Sequence, residues 1–551
     1  MPTRREVIQQ LAAIGLAAPA VHRLRDLCHA GGPALATPSA AQRAWQDLEL
    51  GMFVHFAPNT WQDKEYDDLS SAPGDIMPQV DAAQWAETAL ALGARYIVLV
   101  AKHAGGFCLW QTDTTDYGIR ATPWRGGRGD VMADLATSCA SRGLKLGVYL
   151  SPRDDRHGAG LSGRCATPAA QAAYDTLYRA QLTELLTRYG PITELWLDGS
   201  SVVPTGDLVA RYATDAMVFQ GPQATIRWVG NEDGFAPYPC WNGLYAADAH
   251  TGIATALHGD PTGDVWMPVE VDVSIRRPNW FWSTTNDSHL MSLDDLVEIY
   301  YRSVGRGAQL LLNLPPDRTG RIPEADALRA AQFGDEVRRR FGPAVAETGG
   351  SGPIITLSFN NPTRVDHVIL QEELSRGERV RAWKLDGLAF GRWRRLGAGS
   401  AIGHKLIYPV PPDGYTMLRV TVTESVGLAA LRRLAACNAG VSPPRTWQDA
   451  APLWADDAVG QWNGDSLSLD LTEKVATAGR YRLRLAPERG EAVEIRDMDL
   501  HIGETAAPTL ANPVPGRRDA AFLTIPLQGS RVTLKARVRG ATHGTILLQR
   551  W

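Results

Sequence analysis

A series of apolar runs in this 551-residue sequence ends in side chains that can move protons, hold charge or stack on a sugar ring. His55 lies within Met52 to Phe56, Lys102-His103 follow Tyr96 to Val100, and Tyr149 lies near the end of Leu144 to Leu150. Trp196 and Asp198 close Glu194-Leu195-Trp196-Leu197-Asp198-Gly199, Asn231-Glu232 follow Ile226 to Gly230, and Glu270 with Asp272 falls in Val265 to Val273. A mouth ringed by carboxylates, imidazoles and Trp is what cleavage of a glycosidic bond requires. Asp198 emerges from an apolar strand into a turn that Gly199 permits, a position from which a carboxylate faces an anomeric carbon. Glu232 stands at the end of what reads as the next strand. Adjacent strands are about 4.8 Å apart, compatible with the roughly 5 to 5.5 Å carboxyl separation of retaining glycosidases. In that chemistry Asp198 attacks and forms a glycosyl-enzyme, while Glu232 protonates the leaving oxygen and then activates water. Glu270 remains open as an alternative acid/base.

These ends need a scaffold that brings them together. Between residues 40 and 345 the apolar runs read as buried strands, the last being Leu310 to Asn313, and amphipathic stretches such as Ala82 to Leu92 and Tyr174 to Tyr189 lie between them. Such alternation over that length predicts α/β architecture, a (β/α)8 TIM-like barrel, in which catalytic groups sit where strands end. No glycine-rich phosphate loop follows any strand. After Gly349-Gly350-Ser351-Gly352-Pro353 the texture changes to short alternating segments, predicting a β-sandwich over 350–440 and a second β-rich domain over 446–551.

The chain carries 56 basic against 60 acidic residues, a net charge of −4, with no long like-charge run. A nucleic-acid partner is therefore not expected. Residues 1–30 read as an export signal: Arg4-Arg5, an apolar stretch from Leu11 to Ala18, then Ala18-Pro19-Ala20, the pattern of the bacterial twin-arginine route to the periplasm or beyond. No later segment has the length of apolar sequence a membrane span needs. The six cysteines are scattered without metal spacing, so no metal is expected; Cys165 and Cys240 are a candidate disulfide, with connectivity open. Oligomeric state is not legible.

The blocks Gly51-Met52-Phe53-Val54-His55-Phe56, Lys102-His103 with Gly106-Phe107-Cys108-Leu109-Trp110, Gly143 to Pro152, Tyr189-Gly190-Pro191 leading to Trp196-Leu197-Asp198-Gly199, Trp228 to Glu232, Glu270 to Arg276 and Leu311 to Pro316 together resemble the α-L-fucosidases of glycoside hydrolase family 29. The Gly230-Asn231-Glu232 block is similar to the branch that acts on α-1,3 and α-1,4 fucosyl links of branched glycans. The resemblance implies a cofactor-free retaining hydrolase acting on a fucosylated oligosaccharide or glycoconjugate. It implies Asp198 as nucleophile, Glu232 as acid/base, and His55, Glu65, Tyr66, His103, Tyr149, Trp196, Arg276 and Trp282 as fucose-holding residues. Two positions depart from the family pattern. Ala104 stands where a second imidazole is usual, and Arg153 stands where a Trp is usual. These departures keep two alternatives open: a retaining glycoside hydrolase of altered sugar specificity, and a non-catalytic carbohydrate-binding protein with a degenerate barrel.

Overall fold

The structure is a computed structural model. It describes residues 35–441 except 77–78, 247–248 and 250–257, and beyond them 457–472, 479–487, 493–502, 505–506, 519–525, 531–540 and 543–550. The proposed leader and Ser442-Pro443-Pro444 lie outside the described residues.

Eight parallel strands build the first sheet: β1 (Leu50–Val54), β2 (Tyr96–Lys102), β3 (Lys145–Leu150), β4 (Ile192–Trp196), β5 (Met217–Phe219), β6 (Arg227–Trp228), β7 (Val269–Ser274) and β8 (Gln309–Asn313). Their order is β5-β4-β3-β2-β1-β8-β7-β6, and a parallel bridge between Phe219 and Ile226 draws the two ends together. The barrel follows from side-chain alternation along each strand. Met52, Val54, Ile97, Leu99, Val148, Leu195, Val271 and Leu312 face outward and pack in one large core. Phe53, Val98, Val100, Tyr149, Trp196, Phe219 and Leu311 face inward and form a separate one. Gly51 is required where it stands, because a Cβ there would lie 2.3 Å from the Tyr96 ring.

The covering helices are α1 (Ala40–Gln46), α2 (Ala82–Leu92), α3 (Val131–Arg142), α4 (Pro168–Arg188), α5 (Gly206–Tyr212), α6 (Leu293–Arg302) and α7 (Glu324–Phe341). Their starts are set by side chains that satisfy the free N–H groups of the first turn. Asp81 accepts from Gln84 N, Asp130 from Ala133 N and Thr167 from Ala170 N. Helix α1 opens with a Ser39/Gln42 capping box and carries Trp45 into the inward-facing core. Strand β5, only three residues long, leaves too short an apolar run to read in the sequence, and it lies between β4 and β6, so the strands that lead to Asp198 and Glu232 are not the immediate neighbours expected. The run Val265 to Val273 is two strands, a short ribbon at Val265–Trp266 and then β7.

Strands β9 (Ala346–Ser351), β10 (Ile354–Glu372), β11 (Val380–Ala389), β12 (Arg392–Gly399), β13 (Leu406–Ser425) and β14 (Ala430–Cys437) form an antiparallel sheet in the order β9-β14-β10-β13-β11-β12. Register shifts near Ser358/Thr363 and Val365/His367 interrupt the pairing of its two longest strands. Val368, Leu385, Leu418 and Leu434 fill its own core, while Ile369, Ile407, Ala435 and Cys437 join the barrel's outer core. The chain is thus a (β/α)8 barrel followed by a β-sandwich. A separate compact unit beyond residue 447 holds two four-stranded antiparallel sheets. Cys165 and Cys240 are both free thiols, so the candidate disulfide is not formed. Among the described residues no helix is long and apolar enough to cross a membrane.

Candidate active site

A cavity of about 350 Å³ opens at the C-terminal ends of the barrel strands. Its walls include His55, Glu65, Tyr66, His103, Tyr149, Trp196, Asp198 and Glu232, so eight of the sequence-derived site residues share one space. Phe53, Asp272, Trp280 and Phe281 complete the wall.

Asp198 sits on the turn after β4. Gln220 Oε1 accepts from Gly199 N at 2.7 Å and from Ser200 N at 3.3 Å, which pins this turn. Tyr149 OH donates to Asp198 Oδ2 at 3.0 Å. Solvent reaches Asp198 from the cavity, yet the protein packed around its carboxyl raises its pKa, with the Tyr149 bond opposing and the Glu232 charge adding to that rise. Glu232 is part-exposed, and its Oε2 lies 3.2 Å from an Arg277 guanidinium nitrogen.

Two neutral imidazoles line the opposite wall. Burial, with His103 nearby, pushes His55 down to about 3, and burial with the Arg153 charge pushes His103 down to about 4. His55 Nδ1 meets Asn313 Oδ1 at 2.8 Å, and Asn313 Nδ2 bonds Ser274 Oγ and the Trp280 carbonyl. The carbonyl can only accept, which fixes the amide orientation and makes His55 Nδ1 the donor. His55 Nε2 is then left as an acceptor. His103 Nδ1 is buried without a protein partner.

Aromatic faces provide the apolar side. Trp196 stacks on Phe219 with centroids 3.6 Å apart, and Tyr149 lies near-parallel between Trp196 and His103, 6.1 Å from each. Glu65 accepts from Asn279 Nδ2 at 2.8 Å and from Trp280 N at 2.9 Å, tying the segment after β7 to the cavity wall. Tyr66 is 64 % exposed at the rim, with the Arg153 guanidinium 5.7 Å from its ring centre. Arg153 is held by two bonds to Asp155, at 2.8 and 2.9 Å. Ala104 also lines the wall.

Two expectations are corrected. Arg276 does not reach the cavity: it is buried, paired twice with Asp326 at 2.7 and 2.8 Å, and bonded to Asn286 and Asp287. Trp282 also stands apart, beneath Arg318, and the neighbouring Trp280 takes the cavity position. A loop gives no periodicity from which to choose between them. Glu270 is fully buried and absent from the wall, whereas Asp272, one alternation further along β7, belongs to it. Asp272 accepts from Trp228 Nε1 at 2.6 Å, and burial together with the Glu232 charge holds its pKa well above the carboxylate range. Among the described residues no group of side chains is arranged to hold a metal ion.

The family model described as Alpha-L-fucosidase matches residues 62–339. Alpha-L-fucosidase 1 of Arabidopsis thaliana is 32 % identical over 423 residues, 68 % of this chain and 81 % of the plant protein. The crystal structure of a glycoside hydrolase 29 family member from an unknown rumen bacterium superposes with a TM-score of 0.69 at 26 % identity, covering 94 % of this chain and 100 % of that one. A Ruminococcus gnavus GH29 fucosidase in complex with fucose gives a TM-score of 0.66 at 25 % identity, over 74 % of this chain and 97 % of that one.

Proposed function

Because this chain belongs to the α-L-fucosidases of glycoside hydrolase family 29, we propose that it releases terminal α-1,3- or α-1,4-linked fucose from branched glycans by a retaining double displacement. The observation that carries this reading is the convergence of Asp198 and Glu232 on one cavity whose other walls suit a deoxy sugar. His55 Nε2 and the His103 imidazole offer directed bonds to ring hydroxyls, and Trp196, Phe281 and Trp280 offer apolar faces to the ring and its C6 methyl.

In the first step the Asp198 carboxylate attacks the anomeric carbon as the bond to the aglycone oxygen breaks, and Glu232 gives that oxygen its proton. In the second, Glu232 takes a proton from water, the water oxygen bonds the anomeric carbon, and Asp198 leaves. The Glu232 contact with Arg277 must open for the acid role, since an ion-paired carboxylate has no proton to give. Tyr149 serves Asp198 in both steps, donating to the negative oxygen before attack and on its departure.

Arg4-Arg5 and the apolar stretch behind them support export by the twin-arginine route, and the barrel over residues 40–345 is assigned the chemistry. The β-sandwich of 350–440 is assigned support of the barrel's side. The acid/base assignment has a direct check. Glu232→Ala regains its deglycosylation rate with added azide, an anion that attacks the anomeric carbon in place of water and needs no base, as Asp198 leaves; azide rescue in a Glu270 variant alone would transfer the role to Glu270.

A further inference from the structure

A second pair of carboxyls lies under the cavity and touches no substrate. Glu194 on β4 and Glu270 on β7 point into the barrel two residues before Trp196 and Asp272, and neither has any solvent exposure. Their carboxyls face one another within hydrogen-bonding reach. Two ionised carboxylates cannot share such a contact in a dry interior, so one of them carries a proton.

The surrounding donors decide which. Trp196 Nε1 donates to Glu194 Oε1 at 2.7 Å, and Trp45 Nε1 donates to Glu194 Oε2 at 2.6 Å. An indole N–H can only donate, so both Glu194 oxygens already accept and neither has to donate, which favours the ionised form. Glu270 has different company. Its Oε2 receives Tyr96 OH at 3.3 Å, while its Oε1 is buried with no donor at all. Tyr96 in turn accepts from Gln309 Nε2 at 3.3 Å, which leaves the phenol proton free for Glu270. A proton on Glu270 turns the like-charge contact into a charge-assisted hydrogen bond and satisfies the orphaned oxygen. Burial pushes both carboxyls up, and Glu270 further because it faces the Glu194 charge.

We propose that Glu194 and Glu270 are a proton-sharing positioning pair, Glu194 ionised and Glu270 protonated, that fixes the Trp196 indole as a wall of the sugar site. The ligand in this statement rests on the function proposed above; the protonation assignment does not. Trp196 otherwise packs on Phe219, Tyr149 and Phe53, apolar contacts that give its indole N–H no directed partner. The bond to Glu194 supplies one and sets the ring's rotation, and Trp196 is two residues from Asp198 in the chain.

The test compares Glu194→Gln, Glu270→Gln and Glu270→Ala in the full chain, by steady-state kinetics on an aryl α-L-fucoside and by infrared difference spectroscopy. E194Q turns an amide NH2 toward one of the two indoles, and KM rises about tenfold, more than kcat falls. E270A raises KM as well, and E270Q, whose amide donates as the neutral acid does, restores it to within about twofold. A pair that merely fills the barrel predicts no such split between E270A and E270Q. The wild-type spectrum contains a protonated-carboxyl carbonyl band that E270Q removes and E194Q keeps. Equal KM for E270A and E270Q, unchanged KM in E194Q, or loss of the band in E194Q with its retention in E270Q would overturn the proposal. The infrared arm needs no activity, and E270Q carries it if E194Q does not fold. A wild type that leaves the fucoside uncut counts against the function, while the band still decides the pair.

Discussion

In the proposed reaction Tyr149 and Asp198 set the pH range over which the site works. There Asp198 attacks as an anion, and its pKa is raised by the packed protein around it and lowered by the Tyr149 bond. Activity is therefore expected to fall as pH drops through a value above that of an ordinary aspartate. Tyr149→Phe removes the lowering influence, so the acid limb of kcat/KM moves upward by about one pH unit, the equivalent of about 1.4 kcal/mol. A pH-rate profile of Y149F whose acid limb stays or moves down would contradict this role. At this scale the sequence was most informative where a residue ends a strand. His55, His103, Tyr149, Trp196 and Asp198 all follow or close apolar runs and all reach the cavity. Depth was harder to read. Period-two alternation puts Glu270 and Asp272 on the same inward face, but only the folded barrel shows that Glu270 lies below the sugar site and Asp272 in it.

The segment after β7 carries a cavity wall without helix or strand to stiffen it. Arg276, buried and fully committed to Asp326, Asn286 and Asp287, anchors this loop to α7, and Glu65 holds its Trp280 end. Asp326→Ala leaves the guanidinium buried with its main partner gone, an arrangement that costs about 3 to 5 kcal/mol. Urea denaturation of D326A is expected to show that loss, with KM for the fucoside raised because Trp280 is no longer held; a midpoint within experimental scatter of wild type would remove Arg276 from this role. The family resemblance placed Arg276 in the sugar site because motif position marks an element and not the direction its side chains take. Helix positions are more legible. The pattern Ala82 to Leu92 has its observed ends, which Asp81 and the left-handed Gly93 define chemically, whereas β5 is too short to leave a periodic signal.

Across the barrel and the β-sandwich, buried ionisable groups tie stability to pH. Glu378, before β11, accepts from Asn242 N at 2.9 Å and Asn242 Nδ2 at 2.7 Å, and burial pushes its pKa up to about 7. Glu372 at the end of β10 is pushed by burial to about 8. Both hold protons in the folded chain that they release when unfolded near neutral pH, so their contribution is greatest below the unfolded value and is lost as pH rises through the folded one. Melting temperature is expected to fall between about pH 5 and pH 8, and Glu378→Gln to flatten part of that slope; a Tm that rises over this interval and is unaffected by E378Q would contradict this linkage. The change from α/β to all-β texture near Gly349 was visible in sequence, since strand length and alternation change together. The burial of the β-sandwich against the barrel was not, because Ile369, Ile407 and Ala435 read only as ordinary strand residues. The account as a whole stands on Asp198 forming a glycosyl-enzyme, and the most direct measurement is proton NMR of aryl α-L-fucoside hydrolysis by wild type and by Asp198→Ala with azide. Wild type is predicted to release the α-anomer of fucose first, and the variant to lose at least about 10³-fold in kcat and yield the β-fucosyl azide. Initial release of the β-anomer, or an Asp198→Ala enzyme with near-wild-type turnover, would contradict it.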